Sequence, residues 1–276
     1  MSTSLAQRLR SAVSRRTMLR VTGGVIGTSL LSGTGLAERG RDHRGPRITA
    51  HRGFAGTFPQ NTIAAFEGAS QLKPDRIEID IMPCADGEIV VFHDDRLDNL
   101  TNKEGAVSQT SSETVLQAEI LESGETIPTL TETLDAVRPS ITMNIEFKGS
   151  GKLSWEEVAR RTFETTDQFP HDIFVSSFET DALEAVRTVS PEVPIGKLFG
   201  ANNEQNLKVA RRLDAEAVNP SQGTLDEELV ETAHDEGRDV NVYTIQNWEQ
   251  ADRVVDLNVD GLIADYPSVL EFPIAR

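Results

Sequence analysis

The sequence is poor in cysteine and in basic residues, and each shortage narrows what the protein can do. Its 276 residues include a single cysteine, Cys84, so an intrachain disulfide and a cysteine-based zinc site are both excluded. Lys and Arg together number 27, against 44 Asp and Glu, which gives a formal net charge of −17. A surface that binds nucleic acid needs clustered Lys and Arg, so this charge balance argues against nucleic acid as a partner.

Aromatic residues make up 5% of the chain and hydrophobic residues 38%, a lean content that still allows a packed core. The length suits one large α/β domain or two small ones. The acidic residues are spread along the chain and are not gathered in a tail. Dispersed acidity of this kind predicts a halophilic protein, because high ionic strength screens the repulsion between like charges.

The N-terminal segment has no hydrophobic run long enough to form a comfortable membrane-spanning helix. A twin arginine, Arg15-Arg16, is followed by a glycine-rich apolar run over 21–31 and a small-x-small site at 35–37. This order is typical of a twin-arginine export signal. Residues 1–37 are therefore predicted to direct the protein to the extracellular or cell-surface side, and the mature part is predicted to have no stable membrane span. The alternative is a disordered basic tail.

After a polar linker over 38–46, short apolar strands alternate with amphipathic helices. This alternation predicts parallel βαβ units, and no change in composition marks a second domain, so residues 47–276 are predicted to form one (β/α)8 TIM barrel. An open doubly wound sheet is the alternative, but no Gly-x-Gly-x-x-Gly turn follows the first strand. The predicted strands are 47–51, 76–83, 88–93, 141–148, 172–178, 194–199, 215–219, 239–245 and 260–265. The predicted helices are 61–72, 129–138, 154–166, 179–189, 203–213, 225–236 and 247–257.

The second barrel strand is expected to continue into a hairpin, with its turn at Asp86-Gly87. The segment that follows, about 94–128, is polar and long for a loop in this architecture. We predict that it forms a small insertion after the second strand, lying on the barrel rim as a lid or a substrate wall.

Three carboxylates are expected at one end of the barrel. Glu78 and Asp80 alternate with isoleucines in the second strand, so both side chains project from one face about 7 Å apart. Two carboxylates that close repel each other unless a cation lies between them. Glu146 lies near the end of the next barrel strand, and the carboxyl ends of parallel barrel strands meet at one face. The pattern indicates a site for a hard divalent cation; the alternative is a solvated edge strand with scattered surface charges.

Histidines and basic residues occur at the same strand ends. His51 and Arg52 end the first strand, His93 ends the hairpin, and Lys148 follows Glu146 by two residues on the same face. Arg and Lys side chains can hold an anion. Two histidines beside that anion can exchange a proton with it, one as base and the other as acid. Phosphoester cleavage is the reaction class that uses all of these parts.

The residues named above belong to a longer series of sequence motifs. In its order and spacing, this series resembles the glycerophosphodiester phosphodiesterase family, from about residue 48 to the C terminus. Members of that family are (β/α)8 barrels with a small insertion after the second strand. They hydrolyse deacylated phospholipids such as glycerophosphocholine to glycerol 3-phosphate and an alcohol, using Mg²⁺ or Ca²⁺. The motifs that carry the resemblance are His51-Arg-Gly, Pro59-Gln-Asn-Thr62 with Phe66, Ile77-Glu-Ile-Asp80, Asp86-Gly87, Val91-Phe-His-Asp94, Asn144-Ile-Glu-Phe-Lys148, Ser176-Ser-Phe178 and Asp260-Gly-Leu-Ile-Ala-Asp-Tyr-Pro267.

The resemblance implies a route in which the substrate's own neighbouring hydroxyl attacks phosphorus and water then opens the cyclic phosphate. It also implies roles for individual residues. These are metal binding for Glu78, Asp80 and Glu146, acid/base catalysis for His51 and His93, phosphate binding for Arg52 and Lys148, and an aromatic wall formed by Phe178 and Tyr243. Ordinary core packing is the alternative role for Phe178.

The sequence departs from the family pattern at three positions. Gln60 stands where Glu is usual, which predicts weaker metal binding if that position contributes to the metal site. Tyr243 stands where Trp is usual, so the specificity for the alcohol is expected to differ. Cys84 stands where Thr is common, and it is expected to be a small packed residue.

Three further residues have less distinctive surroundings in the sequence. His171 and His234 are expected at the surface, and Asp265 is expected either to reach the site or to make a structural hydrogen bond. Two other functions fit the same fold: a lysophospholipase D-like enzyme acting on lipids that keep an acyl chain, and a catalytically inactive phosphodiester-binding protein. The expected partner is a small-molecule glycerophosphodiester, and the sequence leaves the oligomeric state open.

Overall fold

The computed structural model of the protein describes residues 45–270. The predicted export signal over 1–37 and nearly all of the predicted linker lie outside the described residues. Between residues 45 and 270, no helix combines the length and the apolar character that crossing a membrane would require.

Eight parallel strands close into a barrel, as the sequence predicts. Each strand pairs with the next along the ring, and closure comes from β1, which pairs in parallel with both β2 and β9. A further strand, β3, pairs antiparallel with the end of β2 and lies outside the ring. The strands are β1 Arg47–Ala50, β2 Arg76–Pro83, β3 Ile89–Val91, β4 Thr142–Phe147, β5 Ile173–Ser177, β6 Ile195–Phe199, β7 Ala217–Pro220, β8 Asp239–Ile245 and β9 Gly261–Ala264.

Seven of the helices in the described region follow barrel strands or the insertion and pack outside the barrel. Several begin at a side chain that accepts a hydrogen bond from a backbone N–H of the first turn, as Thr62, Ser154 and Asn247 do. These helices are α1 Ile63–Leu72, α3 Leu130–Ala136, α4 Trp155–Thr166, α5 Thr180–Val189, α6 Asn203–Arg212, α7 Glu227–Asp235 and α8 Trp248–Val255; the short α2, Ser112–Val115, lies in the insertion.

The main core lies between the barrel strands and the surrounding helices. Ile77, Ile79 and Ile81 of β2 are fully buried in it, since they alternate with the polar residues of that strand. The hairpin between β2 and β3 turns at Gly87, whose φ of +87° lies in the region that favours glycine. Both the alternation and the turn agree with the sequence prediction.

The predicted insertion shares a small apolar core with the hairpin formed by β2 and β3. Residues between β3 and α3 form two short 3-10 helices, at Leu97–Asn99 and Val107–Gln109, together with α2 and isolated bridges. The shared core is separate from the main one, although the segment reads as polar in sequence. The buried members of this second cluster are Met82, Cys84, Val90, Phe92, Leu97, Val107, Val115, Ala118, Ile120 and Ile127.

Candidate active site at the carboxyl end of the barrel

Three buried carboxylates meet where β2 and β4 end. Asp80 of β2 is directly paired with Glu146 of β4, so the two side chains lie side by side. Glu78 is two residues earlier on the same face of β2. One oxygen of each carboxylate lies within 4.8 Å of the others, and all three residues are buried. The reading of these residues as a solvated edge strand is therefore wrong.

Two oxygens of this cluster have no hydrogen-bond partner. Glu78 Oε2 accepts from the backbone N–H of Arg52 at 2.9 Å, and Asp80 Oδ2 accepts from Asn61 Nδ2 at 2.8 Å. Their other oxygens, Glu78 Oε1 and Asp80 Oδ1, are buried and make no hydrogen bond. Buried polar atoms normally have a partner, and unpaired carboxylate oxygens are suited to a hard cation such as Mg²⁺ or Ca²⁺. Glu78, Asp80 and Glu146 thus fit a divalent cation.

The electrostatics of the cluster agree with that fit. The pKa of Glu78 is raised well above its usual value, and the pKa of Glu146 is raised to about 7. In both residues burial is the largest cause and the charge of Asp80 is the second. Burial opposes ionisation of Asp80 as well, but the charges of Arg52 and Lys148 hold its pKa below the usual value. The metal-free cluster therefore favours the ionised form of Asp80 and disfavours charge on Glu78 and Glu146, and a bound cation would favour the ionised form of all three.

We expect the metal-free protein to gain stability from Glu146 as the pH falls from about 8 towards 5. The pKa of Glu146 is about 7 in the folded protein, whereas the ordinary pKa of a glutamate side chain is 4.5. Between these values the folded state binds more protons than the unfolded state, so stability falls as pH rises. Thermal melts in chelator across this range, compared with melts of Glu146→Gln, isolate the contribution. Parallel curves for the two proteins would contradict it.

Each predicted catalytic histidine is bound through Nδ1 to an aspartate. His51 Nδ1 lies 2.6 Å from Asp265 Oδ1, and His93 Nδ1 lies 2.6 Å from Asp94 Oδ1. Burial is the main cause that lowers the pKa of His93. Of the two uses that the sequence left open for Asp265, the structure shows that it reaches the site. Asp94 belongs to a motif of the sequence, but its contact with the neighbouring histidine was not predicted.

Two basic side chains lie against the carboxylates. Arg52 Nε is 3.1 Å from Asp80 Oδ2, and Lys148 Nζ is 2.9 Å from Glu146 Oε1. Burial is the largest single effect on the pKa of Lys148 and lowers it, but the charges of Glu146 and Asp80 and the hydrogen bond to Glu146 together raise that pKa above its usual value. Arg52 also lies in a tight turn after β1, where its φ is +50°. A Cβ atom on the next residue, Gly53, would lie 2.8 Å from the Cβ atom of Ala65. The tight turn after β1 therefore needs its glycine.

Gln60 contacts an arginine in this structure. Its Oε1 accepts a hydrogen bond from Arg52 Nη1 at 2.6 Å. The replacement of Glu by Gln at this position therefore acts first on the charge around Arg52. The prediction that it weakens metal binding stays untested.

Two adjoining cavities open at this end of the barrel. A cavity of about 140 Å³ is lined by both histidines and by Glu78, and it continues into a larger one of about 480 Å³ that His93 lines and His51 does not. Phe178 borders both cavities and is 41% exposed, so it is a wall and not a core residue. Its ring meets that of Tyr243 edge to face, with centroids 5.6 Å apart.

All nine predicted site residues therefore lie around these cavities or in the carboxylate cluster. The first residues of the insertion, Asp94 to Arg96, line the larger cavity, so the insertion contributes a wall as predicted. Asn61 was not predicted to be a site residue. Its position is nevertheless distinctive, because its amide is buried next to the strand that carries the carboxylates and its φ is +56°.

The prediction that His171 and His234 lie at the surface is wrong. His171 is buried, with Nε2 3.1 Å from the carbonyl oxygen of Val137, and His234 Nε2 lies 2.8 Å from Asp260 Oδ2. Hydrogen-bonding partners distant in sequence allow both rings to leave water. Cys84 is buried as expected, and burial raises the pKa of its thiol to about 12.

Comparisons with known proteins agree on one family. Residues 51–269 match the model of the glycerophosphoryl diester phosphodiesterase family. A glycerophosphodiester phosphodiesterase of Caldanaerobacter subterraneus subsp. tengcongensis is 32% identical over 81% of this chain and 95% of its own length. Among solved structures, a phosphodiesterase of Oleispira antarctica in complex with the product sn-glycerol-3-phosphate is similar with a TM-score of 0.77 and 28% identity. That similarity covers 83% of this chain and 98% of the other.

Proposed function

Since this chain belongs to the glycerophosphodiester phosphodiesterase family, we propose that it uses a divalent cation and two histidines to hydrolyse glycerophosphodiesters to glycerol 3-phosphate and an alcohol. The observation that carries this proposal is the meeting of the carboxylates Glu78, Asp80 and Glu146 with His51 and His93 at one cavity. The phosphodiesterase of Oleispira antarctica, whose structure holds sn-glycerol-3-phosphate, supports the same product.

The three carboxylates would hold Mg²⁺ or Ca²⁺. When bound, such a cation polarises phosphoryl oxygens and stabilises the charge that develops on them. Arg52 and Lys148 lie beside the carboxylates with their side chains partly exposed, so they are placed to bind the remaining phosphate oxygens. The protein thereby surrounds a phosphate with positive charge although its net charge is strongly negative.

The two histidines would divide the proton transfers between them. In the first step, one ring takes the proton of the glycerol hydroxyl next to the phosphoester as that oxygen attacks phosphorus. The other ring gives a proton to the departing alcohol oxygen. In the second step, water attacks the cyclic phosphate and gives its proton to the ring that has just lost one. The ring protonated in the first step then returns its proton to the glycerol oxygen.

The larger cavity is the place for the departing alcohol, because His93 borders it and His51 does not. Phe178 would form its aromatic side, and Tyr243, which lines the smaller cavity, would fix the orientation of the Phe178 ring through their edge-to-face contact. A tyrosine where the family usually has tryptophan leaves a smaller ring at this wall, so we propose that this residue adjusts which alcohols fit.

Product analysis with glycerophosphocholine tests the proposed function. Residues 38–276 in molar salt, with Mg²⁺, with Ca²⁺ or with chelator, are expected to release glycerol 3-phosphate and choline only when a divalent cation is present. Release of choline phosphate would mean that the other P–O bond breaks. Turnover only of lipids that keep an acyl chain would support a lysophospholipase D-like activity, and tight cation binding without turnover of any diester would support a binding protein.

We also propose that the protein is exported through the twin-arginine pathway and acts in a salty environment. The twin arginine and the apolar run after it support export, and the excess of acidic residues supports salt adaptation. Replacement of both Arg15 and Arg16 by lysine is expected to retain the protein inside the cell. Unchanged export of that variant would overturn the proposed route.

A further inference from the structure

We propose that Asp265, just after the last barrel strand, is a positioning residue that fixes the tautomer and the orientation of His51. In this arrangement Nδ1 of His51 carries the proton and donates it to Asp265, while Nε2 presents its lone pair to the substrate. The inference rests on the proposed function in one respect: it takes His51 to be a proton-transfer group.

The contact between the two side chains is short and charge-assisted. His51 Nδ1 and Asp265 Oδ1 are 2.6 Å apart, and both side chains are largely buried, with exposed fractions of 14% and 12%. Burial alone would raise the pKa of Asp265, but the hydrogen bond from His51 and the charge of that ring hold it below the usual value. An ionised carboxylate only accepts hydrogen bonds, so the proton of a neutral ring must lie on Nδ1.

Asp265 is itself fixed on several sides. Its backbone N–H donates to the carbonyl oxygen of Ile245 at 2.9 Å, and its own carbonyl oxygen accepts from the N–H of Gly56 at 3.0 Å. Its second carboxylate oxygen accepts from Gln246 Nε2 at 3.0 Å. These partners belong to the end of β8 and to the loop after β1. The backbone of Asp265 is thus held by two other segments, and its carboxylate cannot follow a rotation of the imidazole ring without losing the hydrogen bond from Gln246.

The other histidine is held differently. His93 is bound by Asp94, the next residue in the chain, and the Asp94 side chain is 24% exposed. No second hydrogen bond of the Asp94 carboxylate to the described residues is found, whereas Asp265 has Gln246 as well. Asp265 is thus the more rigid of the two aspartates, and the tautomer of His51 is more firmly set than that of His93.

The test uses Asp265→Asn in the full chain, with Asp260→Asn as the matched control. Asp260 also binds a histidine, His234, but it precedes β9 and so lies at the opposite end of that strand. We expect Asp265→Asn to lower kcat with glycerophosphocholine by on the order of 100-fold or more, with little change in KM. The control is expected to keep its kcat.

Two readouts separate positioning from a merely structural role. Long-range ¹H–¹⁵N NMR of the neutral His51 ring, identified by its ¹⁵N shifts, is expected to show the Nδ1–H tautomer in the wild type and its loss in Asp265→Asn. In a His51→Ala background, Asp265→Asn is expected to have no further effect on kcat, because the aspartate acts through that ring. Unchanged kcat, an unchanged His51 tautomer, or additive losses in the double variant would each overturn the inference.

Failure of the proposed function would look different. If the wild type turns over no glycerophosphodiester at all, the proposed reaction fails, and the NMR comparison still decides whether Asp265 sets the tautomer of His51. If the wild type is active and the tautomer does not respond to Asp265→Asn, the positioning inference alone fails.

Discussion

Replacement of His51 by alanine is expected to lower kcat for a glycerophosphodiester by about 10²–10⁴-fold, the usual contribution of a positioned acid/base group. The ring lies at the cavity that Glu78 also lines, and its Nδ1 is already occupied by Asp265. Only Nε2 is then available to exchange a proton with substrate. Steady-state kinetics at saturating cation concentration measures the loss, and KM is expected to change far less than kcat.

His234→Ala is the matched control for this variant. It also removes a histidine bonded to an aspartate, but at the other end of the barrel. Both variants lose a buried pair, so a comparable loss in melting temperature is expected, while only His51→Ala loses activity. Equal kcat values for the two variants would contradict a catalytic role of His51. Metal-induced stabilisation should survive in both, because neither ring belongs to the carboxylate cluster.

Replacement of Glu78 by glutamine is expected to remove the stabilisation that a divalent cation gives and to lower activity by about 100-fold or more. A cation present at 100 times its Kd stabilises the wild type by about 2.7 kcal/mol, or about 5–10 °C in Tm for a domain of this size. Without Glu78, one of the two unpartnered oxygens of the cluster is gone. Thermal melts with and without Mg²⁺ or Ca²⁺ measure the loss.

The same substitution is expected to stabilise the metal-free protein at pH 8. Burial raises the pKa of Glu78 well above its usual value, so the folded state gains from a neutral side chain there, and glutamine can still accept the N–H of Arg52. Glu88→Gln is the matched control, because Glu88 lies in the neighbouring hairpin turn but is exposed. A metal-free Glu78→Gln protein that melts below the wild type would contradict this explanation.

The sequence predicts much of the barrel and of the site because both follow from local rules. Side chains alternate along β2, so Glu78 and Asp80 had to share a face. Parallel strands end at one face of a barrel, so Glu146 and the histidines had to approach them. The hairpin turn at Gly87 follows from the same kind of local signal. These inferences need only the spacing of residues within one strand or between neighbouring strands.

Contacts between distant segments were not accessible in the same way. Asp265 lies 214 residues from His51, and only the pairing of β1 with β9 brings them together. The burial of His171 depends on the carbonyl oxygen of Val137, which no local pattern indicates. The apolar core of the insertion was missed because its buried residues are scattered among polar ones, without the period of a helix or a strand.

The pairing of the first strand with the last also determines when the enzyme becomes competent during its synthesis. At about 5–20 residues per second, a ribosome needs about 10–40 s to travel from His51 to Asp265, which are 214 positions apart. From residue 146 onward the nascent chain holds the three carboxylates and both histidines, but it lacks the strand that closes the ring and the partner of His51. A chain that stops before residue 261 is therefore expected to be inert, although it carries every residue proposed to bind the phosphate.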